Sequence, residues 1–390
     1  MLIAIFIFFI GLIIYVYVGY PALIFLLAFL RKQKVQKNDA YEPTVSLIVA
    51  AYNEEQTIEA KLRNCLELDY PRDKLEMMVF SDASTDRTDE IVKRFEGQGI
   101  LLLQLPERRG KTAGQNLAVS QAKGEIIVFS DANAYWRPDA VRKIVRNFHD
   151  PTVGCVCGEL IYFSKDKTLI GDAEGVYWSY EKLIKRAEDR AASILGANGS
   201  IYALRKALYV PLPEDIISDF IEPLKIVEQG YRTVYEPAAI SFEQSTSNFA
   251  EEYQRKKRII NRSFFALWYY RSLLNPIKHP TLSWQLVSHK ILRWLIPFYL
   301  PIIFIVNLLL LKSTFFQITL ALQVLFYLTA WLGFWLEKLR WHHVLFYAPF
   351  YYCLVNLASL EAIIGYFVKR QKFVIWNPIR TKQTNDAQNN

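Results

Sequence analysis

Ile126-Ile127-Val128-Phe129-Ser130-Asp131-Ala132-Asn133 is the stretch that decides the fold. Its four apolar residues read as a buried strand, and the carboxylate of Asp131 stands at the strand's carboxyl end. A lone Asp there caps the following turn as readily as it serves a site. The pattern recurs upstream, however. Val79-Phe80-Ser81-Asp82 is a second apolar run closed by Ser-Asp, and Ser46-Leu47-Ile48-Val49-Ala50 is a third, leading into Tyr52-Asn53-Glu54. In open α/β sheets ligands sit outside the carboxyl ends of the strands, so carboxylates delivered there by successive strands converge on one site.

Around that stretch short apolar runs alternate with amphipathic helical ones, which predicts an α/β domain with a mostly parallel sheet. Strands are expected at 44–50, 75–81, 100–105 and 125–130. Helices are expected at 57–68, 85–95, 111–122 and 138–148, with Thr85 as an N-cap. Further on, 153–163 reads as a strand pair, 172–188 as a helix, 196–200 as a flexible turn, and 216–229 as a helix opened by Ser218-Asp219.

Charge is spread unevenly over the 390 residues. Residues 2–30 carry none and most of 294–368 carry none, whereas the middle has the composition of a soluble domain. The expected organisation is a transmembrane helix at 1–30, a globular domain at 31–250, amphipathic interface helices at 251–293, three transmembrane helices within 294–370 and a polar tail at 371–390. The first run is too long for a cleaved signal peptide and lacks its basic start. Gly19-Tyr20-Pro21 predict a kink within it. Arg31, Lys32, Lys34 and Lys37 place the globular domain in the cytoplasm by the positive-inside rule. Lys369, Arg370, Lys372, Arg380 and Lys382 argue for a cytoplasmic tail, yet one span before the domain and three behind it leave the tail outside. Either one C-terminal segment is re-entrant or the tail lies on the far side.

The net charge of +8 gathers beside the apolar segments, as anchoring to anionic headgroups requires. No recognition motif accompanies it, which argues against nucleic acid. Cys65, Cys155, Cys157 and Cys353 form neither a paired framework nor a zinc spacing and read as reduced thiols. Arg108-Arg109-Gly110-Lys111 is a basic turn at a helix N-terminus, a place suited to phosphate oxygens. Carboxylates and phosphate-binding groups at strand ends point to a nucleoside diphosphate held through a divalent cation. Dinucleotide and P-loop glycine patterns are absent.

The sequence resembles the family 2 glycosyltransferases, specifically their membrane-integrated, polysaccharide-synthase-like branch, over nearly its whole length. The resemblance is carried by Tyr-Asn-Glu-Glu at 52–55, Asp-Ala-Ser-Thr-Asp-Arg-Thr at 82–88, Arg-Gly-Lys at 109–111 with Asn116, Asp-Ala-Asn at 131–133 and Pro138, all in the family's order. It implies a GT-A fold, Rossmann-like, with a nucleotide-sugar donor, most often a uridine diphosphate sugar, and Mg²⁺ or Mn²⁺. Tyr52, Glu54 and Asp82 would then hold the nucleoside, Lys111 the base or diphosphate, and Asp131 the metal and ribose. Asn133 stands where the family's second metal-binding Asp usually stands. It offers an amide oxygen without a charge.

Inverting transfer needs a carboxylate to take the acceptor hydroxyl's proton. Ser218-Asp219 matches the family's Thr-Glu-Asp position, which makes Asp219 the expected base, with Asp215 and Glu222 as neighbours that could replace it. The later Gln-x-x-Arg-Trp motif is partial: Gln254 is kept, Lys257 replaces the Arg and Arg258 replaces the Trp. These residues are expected at the donor diphosphate. Trp376-Asn377-Pro378-Ile379-Arg380 resembles the family's C-terminal Trp/Arg segment.

The implied activity is metal-dependent transfer of a sugar to a growing polysaccharide or a lipid-linked acceptor, by an integral protein of a bacterial inner membrane with a cytoplasmic catalytic domain. Single-sugar addition to a membrane lipid and a catalytically silent synthase subunit are the alternatives.

Overall fold

The computed structural model describes residues 1–163, 169–244, 249–339 and 344–369. The first element is one apolar helix, Leu2–Arg31 (α1). A π-helical turn at Tyr15–Gly19 sits just ahead of Pro21, so the expected irregularity is an extra residue in the turn. The globular part then runs β1 (Val45–Ala51), α2 (Ile58–Leu66), β2 (Leu75–Ser81), α3 (Thr88–Lys93), β3 (Ile100–Gln104), α4 (Lys111–Gln121) and β4 (Ile126–Asp131). It continues β5 (Tyr135–Trp136), α5 (Ala140–Val145), β6 (Val153–Phe163), α6 (Leu169–Ala191), β7 (Tyr202–Arg205), α7 (Ser218–Glu228) and β8 (Arg232–Gln244).

The eight strands form one sheet in the order β3-β2-β1-β4-β7-β6-β8-β5. β1 to β4 are parallel, while β7 runs antiparallel between β4 and β6. In β1, Val45, Leu47, Val49 and Ala51 enter one core and Ile48 and Ala50 the other, so the sheet is covered on both faces. Register decides what stands at the sheet's end. Ala51 pairs with Ser81 and Ala50 with Asp131, so β1, β2 and β4 end together, and Tyr52, Asp82 and Asp131 emerge along one ridge.

Three expectations are corrected. Residues 153–163 form one strand, because the irregularity between Gly158 and Glu159 is a register shift against β8 and not a hairpin turn. The helix expected from residue 85 begins at Thr88, because the Asp86 carboxylate accepts from the backbone N–H and the hydroxyl of Thr88, whereas Thr85 N–H goes to Asn53 Oδ1. The turn at 196–200 is pinned by hydrogen bonds, as described below.

Behind the sheet lie α8 (Phe249–Tyr269), α9 (Pro280–Trp294), α10 (Ile296–Leu309), α11 (Thr314–Lys338) and α12 (Val344–Lys369). Leu2–Arg31, Thr314–Glu337 and Leu345–Val368 are long and apolar enough to cross a membrane. The segment expected to span at 294–311 is α10. α10 has 14 residues, which at ~1.5 Å each falls short of a ~30 Å hydrocarbon layer. It meets α9 at a bend of 57°, and the two together are long and apolar enough for a broken span or a re-entrant loop. Arg370, the tail at 371–390 and the Trp376–Arg380 segment within it lie outside the described residues.

A polar layer joins α1 to this assembly. Tyr20 Oη donates to Glu188 Oε1 at 2.5 Å, and the same carboxylate oxygen lies 2.7 Å from His289 Nδ1. Tyr180 Oη donates to the Tyr17 carbonyl at 2.8 Å, and Trp284 Nε1 to Tyr15 Oη at 2.9 Å.

Candidate active site

The loops that leave β1 and β2 are laced together. Asn53 N–H donates to Ser84 Oγ (3.0 Å), Glu54 N–H to Thr88 Oγ1 (2.6 Å) and Glu55 N–H to Asp86 Oδ2 (3.1 Å). Asn53 and Ala83 both hold positive φ, at 51° and 53°, so each strand ends in a tight turn. Most of the Tyr-Asn-Glu and Asp-Ala-Ser-Thr-Asp-Arg-Thr motif is therefore structural.

Asp82 is buried and accepts the backbone N–H groups of Arg109 (2.8 Å) and Gly110 (2.9 and 3.0 Å). It fixes the basic turn from which α4 starts. Arg108 lies over the Tyr52 ring at 3.7 Å, so these two cover the outer end of the ridge.

Lys111, the first residue of α4, forms an ion pair with Asp131 at the end of β4. Burial works against the Lys111 charge, but Asp131 and Asp219 outweigh it and hold the pKa above the ordinary lysine value. Asp219 enters from the first turn of α7. Burial raises its pKa and Lys111 opposes the rise.

Gly199 lies against all three. A Cβ on it would stand 2.6 Å from Lys111 Nζ, 2.8 Å from Asp131 Oδ2 and 3.1 Å from Asp219 Oδ2. The turn carrying it is held from both sides. Ala197 N–H donates to the Asp219 carbonyl (2.8 Å), Asn198 Nδ2 to the Gly158 carbonyl (3.0 Å), and Trp136 Nε1 to the Ser200 carbonyl (2.9 Å).

These groups line a cavity of about 970 Å³ that also receives Glu54, Asn133, Glu243, Arg255, Arg258 and Arg262. Burial and the nearby Asp131 push Glu243 up to about 7. Burial, Arg262 and Arg255 push Arg258 down to about 10, still charged at neutral pH. Three guanidinium groups crowded on one wall leave room for a polyanion.

Of the residues expected at the site, Glu54, Lys111, Asp131, Asn133, Asp219 and Arg258 line the cavity. Tyr52 and Asp82 lie beside it on the ridge. Gln254 and Lys257 are not brought there. Gln254 lines a separate apolar cavity of about 510 Å³ with Tyr327 and Trp331, and Lys257 pairs with Glu361 of α12 at 2.7 Å. The cause is helical: Arg255, Arg258 and Arg262, at i, i+3 and i+7, share the inward face of α8. Of the three carboxylates weighed as base, Asp215 and Glu222 are not among the cavity's lining residues. Glu222 is fully buried, and burial pushes it up to about 8 against the opposing Val210 backbone N–H.

Sequence reasoning missed Gly199, Glu243, Arg255 and Arg262. The spacing from Arg258 could have revealed the two arginines. Nothing local marks Glu243, which reaches the site only through the pairing of β8 with β6.

Oxygen donors from Asp131 and Asn133 suit a hard cation, with Glu243 within electrostatic reach. Among the described residues no group of three or more carboxylate, imidazole or thiol side chains could hold a metal alone. The set fits a cation whose remaining oxygens come from a bound phosphate.

Residues 46–209 match the family described as glycosyl transferase family 2. Poly-beta-1,6-N-acetyl-D-glucosamine synthase of Staphylococcus aureus (strain COL) is 30% identical over 203 residues, 50% of this chain and 48% of that one. The probable glycosyltransferase YdaM of Bacillus subtilis (strain 168) is 26% identical over 247 residues, 58% of this chain and 56% of that one. The chain thus spans about half the length of the curated relatives it matches. The solved structure of the mannosyltransferase PcManGT from Pyrobaculum calidifontis, in complex with GDP-Man and Mn2+, aligns with a TM-score of 0.70 at 26% identity, covering 93% of this chain and 99% of that one. The globular domain has the GT-A architecture.

Proposed function

We propose that this chain, which carries a glycosyl transferase family 2 domain in residues 46–209, is a membrane-embedded inverting glycosyltransferase. It moves a sugar from a nucleoside diphosphate donor to a polysaccharide or lipid-linked acceptor. The observation that carries this reading is the meeting of Lys111, Asp131 and Asp219 around Gly199, inside a cavity walled by three arginines.

In this reading the diphosphate lies toward Lys111, Arg258 and Arg262, whose fixed charges stabilise it as it departs. Asp219 takes the proton of the acceptor hydroxyl as that oxygen attacks the anomeric carbon. A raised pKa suits that role, because a weakly acidic carboxyl group is the stronger base once ionised. Asp131 and Asn133 would hold Mg²⁺ or Mn²⁺ together with the donor's phosphate oxygens, and the cation supplies charge neutralisation at the diphosphate. Tyr52, Glu54 and Asp82 form the nucleoside end, with Asp82 acting through the turn it anchors. Gln254 and Lys257 are left out of donor binding.

The short, bent α10 supports a topology in which the α9–α10 pair enters and leaves on the cytoplasmic side. Then α1, α11 and α12 span, and the residues after α12 return to the cytoplasm, as their charges require.

Incubating the purified chain with UDP- and GDP-sugars, Mn²⁺ or Mg²⁺ and lipid extract tests the function. A labelled product is expected, as polymer at the gel origin or as a single shifted lipid. Asp219→Asn should lower the rate by about 10²- to 10⁴-fold while nucleotide binding persists; full transfer by that variant would remove Asp219 as the base.

A further inference from the structure

The cavity at Asp131 and Asp219 runs on between α6, α9 and α12, where Lys185 and Lys290 line it together with Asn356 and Ser359. The carboxylates in this part already have partners. Glu181 pairs with Arg293 and His289, Glu188 meets Tyr20 and His289, and Glu159 pairs with Lys182. The two lysines differ. Lys185 Nζ contacts the Cys157 thiol at 3.0 Å and the Tyr235 ring at 4.6 Å. Among the described residues neither Lys185 nor Lys290 has a carboxylate within 4.0 Å. Glu181 and Glu188 lie within electrostatic reach of Lys290 without touching it.

Half-buried ammonium groups that line one cavity without a carboxylate in direct contact leave N–H donors to an anion entering that cavity. A phosphate group offers several oxygens to both. The surrounding helices say what carries it: α12 and, through Tyr17, α1 line this part of the cavity, and both are long and apolar enough to cross a membrane. A phosphate carried on a lipid can enter between such helices.

We propose that Lys185 and Lys290 bind the phosphate ester headgroup of a membrane lipid, and so hold a lipid-linked acceptor in the cavity that contains Asp219. The proposal deepens the glycosyl-transfer reading by choosing the lipid-linked acceptor class.

The full chain in phosphatidylcholine nanodiscs containing a minor fraction of phosphatidic acid or diacylglycerol tests it, with retained lipid counted by native mass spectrometry. The wild type is expected to prefer phosphatidic acid at least about tenfold, as loss of charge-assisted contacts would predict. The Lys185→Gln/Lys290→Gln variant should lose that preference and Lys185→Arg/Lys290→Arg should keep it. Nucleotide binding on the same samples reports folding. If the double Gln variant fails that check, the single Gln variants replace it, each with an intermediate loss expected. Retained preference in the folded Gln variants overturns the proposal. So does inorganic phosphate that binds the wild type as tightly as the lipid does. A wild type that selects phosphatidic acid but binds no nucleotide keeps the lysine site and rejects glycosyl transfer.

Discussion

Gly199→Ala separates the catalytic geometry from the fold. The added methyl carbon would stand 2.6 Å from Lys111 Nζ, 2.8 Å from Asp131 Oδ2 and 3.1 Å from Asp219 Oδ2. Carbon contacts are comfortable at ~3.5–4.0 Å, so the charged tips must retreat by roughly 0.5–1 Å. All three are ends of side chains, so neither the sheet nor the start of α7 has to move. Stability should change by less than about 1 kcal/mol, within the range of substitutions that leave the core intact. Catalysis is far more sensitive, because a misplacement of about 1 Å costs on the order of 10²-fold in rate, or about 2.7 kcal/mol in the barrier. Initial rates with the best donor, measured beside thermal unfolding on the same preparation, give both quantities. A rate down about 100-fold with a nearly unchanged midpoint is expected. Gly199→Ala with wild-type activity would show that Lys111, Asp131 and Asp219 do not surround the reacting atoms.

Other substitutions probe other layers. Asn133→Asp adds a charged oxygen where the cation is proposed to sit, and the Mn²⁺ concentration for half-maximal activity should fall. Gly114→Ala would put a methyl carbon 2.1 Å from Cδ2 of the buried Phe80 ring; an overpacking cost of about 1–3 kcal/mol should lower the unfolding midpoint. Glu222 titrates near 8 in the folded chain against an ordinary value of 4.5. Below 4.5 both states hold the proton. As pH rises toward 8 only the unfolded chain releases it, which lowers stability by up to about 1.4 kcal/mol per pH unit. The stability of Glu222→Gln relative to wild type should therefore rise between pH 4.5 and 8, read from denaturant unfolding; a flat difference would refute the buried, protonated carboxyl.

The parallel half of the sheet was legible because β1, β2 and β4 each carry an apolar run of four or more residues, at 47–51, 77–80 and 126–129, buried on both faces and followed by a polar residue. β5 and β7 were not, since two and four residues are too few to show a period. The candidate site divides in the same way. Asp131 and Lys111 announce themselves beside a strand end and a helix start, whereas Gly199 matters only through what lies opposite it. Gln254 and Lys257 illustrate the converse: a motif matched along the chain says nothing of which helix face each residue takes, and packing against α11 and α12 turned these two away.

The contact between Tyr20 and Glu188 bears on how the protein can be handled. A truncation that removed α1 to obtain a soluble domain would strip the 2.5 Å hydrogen bond from a carboxylate that is 2% exposed, and would uncover Ile184, Ala187 and Ala191. α1 also contributes Tyr17 to the wall of the cavity that holds Asp131 and Asp219, so on the proposed function a fragment without α1 would be an incomplete enzyme.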